Sequence, residues 1–179
     1  MEKNIYWEKK RDTLEKLIRS GLELRFPGGK SLQGNFSSLG TASRINQYED
    51  IELLIIPYNP KIQSLPFKEE KFPERPKQTF YREFLEETGI RAGEIIFLNS
   101  LEVKDSSGED KKHRKYSFFA RNIDVTNIVT KLKFGQRVGT PIWVPIILLE
   151  RYIWRHHRWI FFEVKKELQK RPVKMLMPA

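Results

Sequence analysis

Glu74-Arg-Pro76-Lys-Gln78-Thr-Phe80-Tyr-Arg82-Glu83-Phe84-Leu85-Glu86-Glu87-Thr88-Gly89-Ile90 governs how the rest of the chain is read. From Pro76 to Thr88 there is no interior Gly or Pro, and Pro76 suits a first helical turn, where its missing N–H removes no bond. Gly89 stands where a left-handed C-terminal cap belongs, so the spacing predicts a helix of about three turns. Glu83, Glu86 and Glu87 are related by i, i+3 and i+4 and share one face, while Phe80, Phe84, Leu85 and Thr88 share another. Three like charges on one patch oppose an isolated helix by a few tenths of a kcal/mol per pair, roughly. A divalent cation reverses that sign, because hard oxygen donors are what Mg²⁺ takes. Taken alone, such acidic residues in a basic protein read first as a solvated helix face.

The match extends beyond the glutamates. Arg82 to Ile90 resembles the core of the Nudix box, and Glu74 precedes Arg82 by the seven intervening residues that box requires. Leu65-Pro66 and Glu74-x-Pro76-x-Gln78 match the lead-in to its helix. Over the 23 positions from Lys68 to Ile90 one fixed residue departs: the opening Gly is Lys68, in the pair Phe67-Lys68. Lys71 and Pro73 also stand where the family commonly has Glu and Gly.

That resemblance implies an α/β (α+β) fold, a Nudix-like α/β/α sandwich with a mixed central sheet, here with an added N-terminal helix. It implies a hydrolase that cleaves a pyrophosphate bond in a nucleoside diphosphate-linked substrate, with Mg²⁺ or Mn²⁺ as cofactor. Metal ions clamp the phosphate oxygens, offset developing charge and acidify a bound water. The resemblance makes Glu86 and Glu87 the first metal ligands. Glu83 ligates a second ion or accepts the water's proton, so Glu83 and Glu87 are the catalytic candidates. Lys68 offers the metal its main-chain carbonyl only, and Glu74 with Arg82 forms a structural pair that pins loop to helix. The family often adds a distal acid before its last strand, but Thr130–Thr140 has no carboxylate. Glu102, Glu109, Asp110 and Asp124 are the substitutes the sequence offers. These departures support an alternative, a weakened module that binds nucleotide or RNA without efficient turnover.

The 179 residues are 39% hydrophobic and 12% aromatic, which predicts a folded globule. The division expected is an N-terminal amphipathic helix packed on the domain (1–20) and one Nudix domain (21–179). With no Cys, disulfides, thiol catalysis and cysteine-ligated zinc are excluded. The opening residues lack the apolar core of a secretory signal, and no run approaches the ~20 residues that span a bilayer. A cytoplasmic protein without membrane contact is therefore expected. The formal charge of +10 fits a small polyphosphate, RNA, or solubility alone. Lys111, Lys112, Arg114 and Lys115 form the basic cluster, and the N-terminal helix suits a homodimer.

Along the chain, Asn4–Ser20 reads as an amphipathic helix and Leu22–Phe26 as a strand. Pro27-Gly28-Gly29-Lys30 has a phosphate-loop flavour but neither box nor P-loop spacing, so a plain turn is expected. Gly34–Asn46, polar and Ser/Gly-bearing, reads as loop or short irregular strands. Ile51–Ile56 is a doubly buried strand, and Glu94–Lys104 with Arg114–Ala120 a hairpin about a polar turn at 105–112. Ile142–Pro145 reads as a last strand before a helical tract to Lys170. That tract offers Ile147, Leu148, Tyr152, Trp159, Phe162, Val164 and Leu168 to the core. His113, His156 and His157, and the rings of Tyr152, Trp154 and Trp159, read as packing rather than chemistry.

Overall fold

The structure is a computed structural model that describes residues 2–62, 73–104, 112–124 and 137–170. In chain order the elements are α1 (Glu2–Arg19), β1 (Glu23–Arg25), β2 (Gly28–Lys30), β3 (Phe36–Ile45), β4 (Ile51–Tyr58) and α2 (Pro76–Thr88). There follow β5 (Glu94–Lys104), β6 (Lys112–Arg121), β7 (Ile142–Pro145), α3 (Ile146–Tyr152), a 3-10 turn (Arg155–His157) and α4 (Arg158–Gln169). They form two compact units. One comprises Met1–Phe26, Ala42–Gln63 and Lys133–Ala179; the other comprises Pro27–Thr41 and Ser64–Leu132. Both combine helix with sheet, so the α+β class read from the sequence holds, a mixed sheet with flanking helices.

In the first unit the apolar run of β4 is buried across both faces, as its unbroken hydrophobicity requires. It pairs antiparallel with β1 (Leu24 opposite Pro57), with the end of β3 (Ser43 opposite Leu53) and with β7 (Leu54 opposite Trp143). Leu14 of α1, Leu149 of α3, and Ile160, Phe161 and Val164 of α4 are buried. Glu52, wholly buried on β4, accepts a short hydrogen bond from the Tyr6 hydroxyl and a 3.0 Å bond from Arg44 Nε. A buried carboxylate persists only with such partners.

The tract after β7 is not one helix. The backbone turns extended at Ile153, and the Trp154 N–H is donated 2.8 Å to the Leu24 carbonyl of β1. A backbone donor committed to a strand cannot serve a helix, and two helices result. Two residues expected in the core, Ile147 and Phe162, are exposed at 65% and 45%. Buried His157 accepts the Phe26 N–H at Nδ1 over 3.0 Å.

In the second unit, α2 starts at Pro76, with the Arg75 N–H donated to Gln78 Oε1 at 2.9 Å. It ends at Gly89, whose φ of 72° supplies the left-handed cap. Its apolar face packs on the sheet: the Phe80 ring stacks on Phe118 at 5.4 Å and tilts against Phe84 at 5.3 Å. The stretch expected to be irregular is instead the ten-residue strand β3. Small side chains explain it. A Cβ at Gly40 would stand 2.1 Å from the Phe118 carbonyl oxygen and 3.0 Å from the Phe80 ring. Ser38 satisfies its buried hydroxyl by donating to the Pro76 carbonyl at 2.7 Å. Closeness to helix and neighbouring strand, not apolar periodicity, thus selects Ser and Gly here. β5 and β6 form the expected hairpin, in register from Glu94–Arg121 to Lys104–Lys112 with a bulge between Phe97 and Asn99.

Candidate active site

Every residue described here belongs to the second unit. Arg82 projects from the middle of α2 and gathers its surroundings. Its Nε donates to Glu74 Oε2 at 2.8 Å and its Nη2 to Glu74 Oε1 at 3.0 Å, a fork meeting a carboxylate. Nη2 also donates 3.0 Å to the Lys30 carbonyl, and Nη1 donates 2.8 Å to Glu83 Oε1. Glu86 Oε2 lies 3.4 Å from Nη1, with its side chain 45% exposed. Glu74 further accepts from Thr79 Oγ1 (2.7 Å) and the Leu32 N–H (3.2 Å), and its own N–H is donated to Gln33 Oε1 at 3.2 Å. Burial works to raise the Glu74 pKa, but the Arg82 and Thr79 hydrogen bonds outweigh it and hold the carboxyl below its ordinary value.

Glu83 and Glu87, one turn apart on α2, are brought close enough that the charge of Glu83 raises the Glu87 pKa. Burial, then the charge of Glu86, raises the Glu83 pKa against the pull of Arg82. Burial, then the charge of Glu83, raises the Glu87 pKa well above the usual carboxylate range, opposed by a bond from the Gly28 N–H. The residue Glu87 as a whole keeps some exposure, yet its Oε2 is buried with no hydrogen-bond partner.

Opposite these carboxylates runs β2, the Gly-Gly-Lys segment for which the sequence suggested only a turn. It is a strand paired with β3, Gly29 opposite Ser38. A Cβ at Gly29 would stand 2.6 Å from the Glu83 carboxyl carbon and under 3 Å from both its oxygens (2.7 and 2.8 Å). A side chain at this position would push the Glu83 carboxyl aside. The pattern that marks it, two glycines after a proline, is common to many turns; the acidic partner lies far along the chain, which is why local reading misses it.

Of the residues singled out from the sequence, Glu83 and Glu87 meet at the strand, Glu86 turns outward toward Arg82, and Glu74 pairs with Arg82. Lys68, Glu109 and Asp110 lie outside the described residues. Among the described residues, no group of three or more His, Cys, Asp or Glu side chains converges in metal-binding geometry. Glu102 lies on the β5–β6 hairpin opposite Arg114, and Asp124 bridges to Arg91. His113 Nε2 is 2.7 Å from the Ser37 hydroxyl.

The α+β scaffold that sets these carboxylates against the glycine strand is a Nudix fold. Solved structures agree. The chain is similar to the Nudix domain of NrtR from Shewanella oneidensis complexed with ADP ribose, at 14% identity and a TM-score of 0.50, covering 73% of this chain and 86% of that one. It is also similar to NrtR of the same organism complexed with a 27mer DNA (13% identity, TM-score 0.53, 78% of this chain). The uncomplexed NrtR structure matches at 14% identity and a TM-score of 0.51 over 74% of this chain. The chain spans 63% of the length of the latter two proteins. No family model matches the sequence, and no curated protein does. No helix among the described residues is long and apolar enough to cross a membrane.

Proposed function

We propose that the chain is a divalent-metal-dependent hydrolase of a pyrophosphate bond in a nucleoside diphosphate-linked substrate, with Glu83 and Glu87 as its working carboxylates. The observation that carries this reading is Glu87 Oε2, a buried oxygen without a partner beside a second carboxyl. Two carboxylates enclosed together are unfavourable unless a proton or a cation is shared between them. Hard oxygen donors fit Mg²⁺ or Mn²⁺. When bound, such an ion supplies positive charge to offset that of a diphosphate and its reacting water.

The rest is done by side chains. Glu87, and the oxygen of Glu83 that Arg82 does not hold, are the groups to grip the ion and accept the water's proton. Arg82 positions Glu83 and ties α2 to Glu74 and to β2. Glu86, outward and exposed, is left as an outer donor. The test is release of a monophosphate from a panel of nucleoside triphosphates, nucleotide sugars, dinucleotides and capped RNA in Mg²⁺ or Mn²⁺. Glu87→Gln should abolish it; inactivity of the wild-type protein across the panel rejects the reading.

A second reading, a module that binds nucleotide or RNA without efficient turnover, draws on Arg82. That cation already holds one oxygen of Glu83 and lies near Glu86. Calorimetry separates the two: tight nucleotide binding without turnover or metal requirement favours the second.

A further inference from the structure

We propose that Arg25 and Arg137, both packed on the ring of Tyr58, form a binding site for a phosphate group that needs no metal. All of its residues belong to the first unit, whereas the carboxylates of α2 belong to the second.

The backbone fixes where these side chains start. Glu23 of β1 stands opposite Tyr58 at the end of β4, and Arg25 opposite Ile56, so Glu23, Arg25 and Tyr58 share one face of the strand pair. Beside that end of β4, the Asn59 N–H is donated to the Arg137 carbonyl and the Gly139 N–H to the Pro57 carbonyl, each at 2.8 Å. On this frame the Arg25 guanidinium lies over two rings, 3.6 Å from the centre of Tyr58 and 3.8 Å from that of Trp154. Arg137 rests on the same Tyr58 ring at 4.8 Å. Ring faces attract guanidinium groups but carry no net charge, so they orient the pair without neutralising it.

The charges do not balance. Arg25 donates from both Nε, over 2.7 Å, and Nη2 to a single oxygen of Glu23, so that acid answers one cation. Arg137 has no ion pair among the described residues, and its Nε is buried without a hydrogen-bond partner. Burial, then the charge of Arg25, pushes the Arg137 pKa down, as expected of a cation enclosed beside a cation. A buried donor calls for an acceptor, and two guanidinium groups against one carboxylate call for further negative charge. An oxyanion supplies both. The Arg137 fork fits phosphate oxygens. The added charge of Arg25 favours phosphate, which carries more than one negative charge at neutral pH, over chloride or a carboxylate. Both arginines keep part of their surface exposed, which leaves the ligand a way in.

Calorimetry on the full chain in metal-free Tris chloride tests this, with inorganic phosphate and adenosine monophosphate as probes. Wild type should bind phosphate at a single site, and Arg137→Gln should bind it about tenfold more weakly or worse. Glu23→Gln, which leaves Arg25 without its acid, should tighten binding, a gain that a damaged fold would not produce. Because Arg137→Gln removes an orphaned donor and a like charge, its melting temperature without phosphate should not fall, while the rise that phosphate gives wild type should vanish. Adenosine monophosphate binding as tightly as phosphate, and lost in Arg137→Gln, names the phosphate of a nucleotide as the occupant; weaker binding names the free ion. The proposal is overturned if wild type binds neither probe, or if Arg137→Gln binds phosphate as tightly as wild type.

Discussion

Arg82 holds Glu74 by both carboxylate oxygens, Nε to Oε2 at 2.8 Å and Nη2 to Oε1 at 3.0 Å. The Glu74 side chain is only 8% exposed, so replacing it strands a guanidinium and the Thr79 hydroxyl. Glu74→Gln should cost about 1.5–3 kcal/mol, measured by denaturant unfolding at neutral pH. Because the folded-state pKa of Glu74 is depressed, its contribution is present above the unfolded value of about 4.3 and is lost as pH falls through the folded one. The stability gap between wild type and Glu74→Gln should therefore close in acid.

Glu87 should behave in the opposite sense. Its folded-state pKa is raised, so the folded protein holds more protons than the unfolded chain, and stability falls as pH climbs above about 4.3. In chelator, Glu87→Gln should be more stable than wild type at pH 7 and no more stable at pH 4. Thermal melts at both pH values check this, and Mg²⁺ should raise the melting temperature of wild type only.

At Gly40 the constraint is purely steric. A methyl group there meets backbone, the Phe118 carbonyl oxygen at 2.1 Å, which cannot rotate away. Gly40→Ala should lose about 3 kcal/mol by denaturant midpoint, the upper range for overpacking. No loss would mean that β3 and β6 are free to separate.

Tyr6 gives a spectroscopic handle on the first unit. Burial and its bond to Glu52 push its pKa up to about 12. Its share of stability is present below the unfolded value of about 10 and disappears as pH rises through the folded one. Absorbance titration should show late ionisation from Tyr6 beside that of Tyr152, which burial and its bond to Glu15 also raise. Tyr6→Phe should remove the Tyr6 component and cost about 1.5–3 kcal/mol, because Glu52 stays buried with a partner missing.

What could be read from sequence alone divides along physical lines. Helix α2 was legible because its signals are local: Pro76 at the start, Gly89 at the end, aromatic residues on one face. Strand β4 was legible because its apolar run needs no partner to be recognised. Strand β3 was not, since Ser38 and Gly40 were selected by what lies above them, the Pro76 carbonyl and the Phe80 ring. The break at Trp154 was hidden for the same reason: its N–H is claimed by Leu24, a residue of another element. Within the site, the spacing of Glu83 and Glu87 announced a shared face, but Gly28 and Gly29 acquire meaning only when the fold sets them against it.

One oxygen of Glu83 is already committed to Arg82. A cation reaching this corner would then meet that carboxylate chiefly through its other oxygen. Calcium, large and fond of bidentate carboxylates, is poorly served by such a corner, while a compact octahedral ion is satisfied with single oxygens. On the metal-dependent reading, the guanidinium that braces the helix should therefore favour Mg²⁺ over Ca²⁺, which calorimetry with each ion checks.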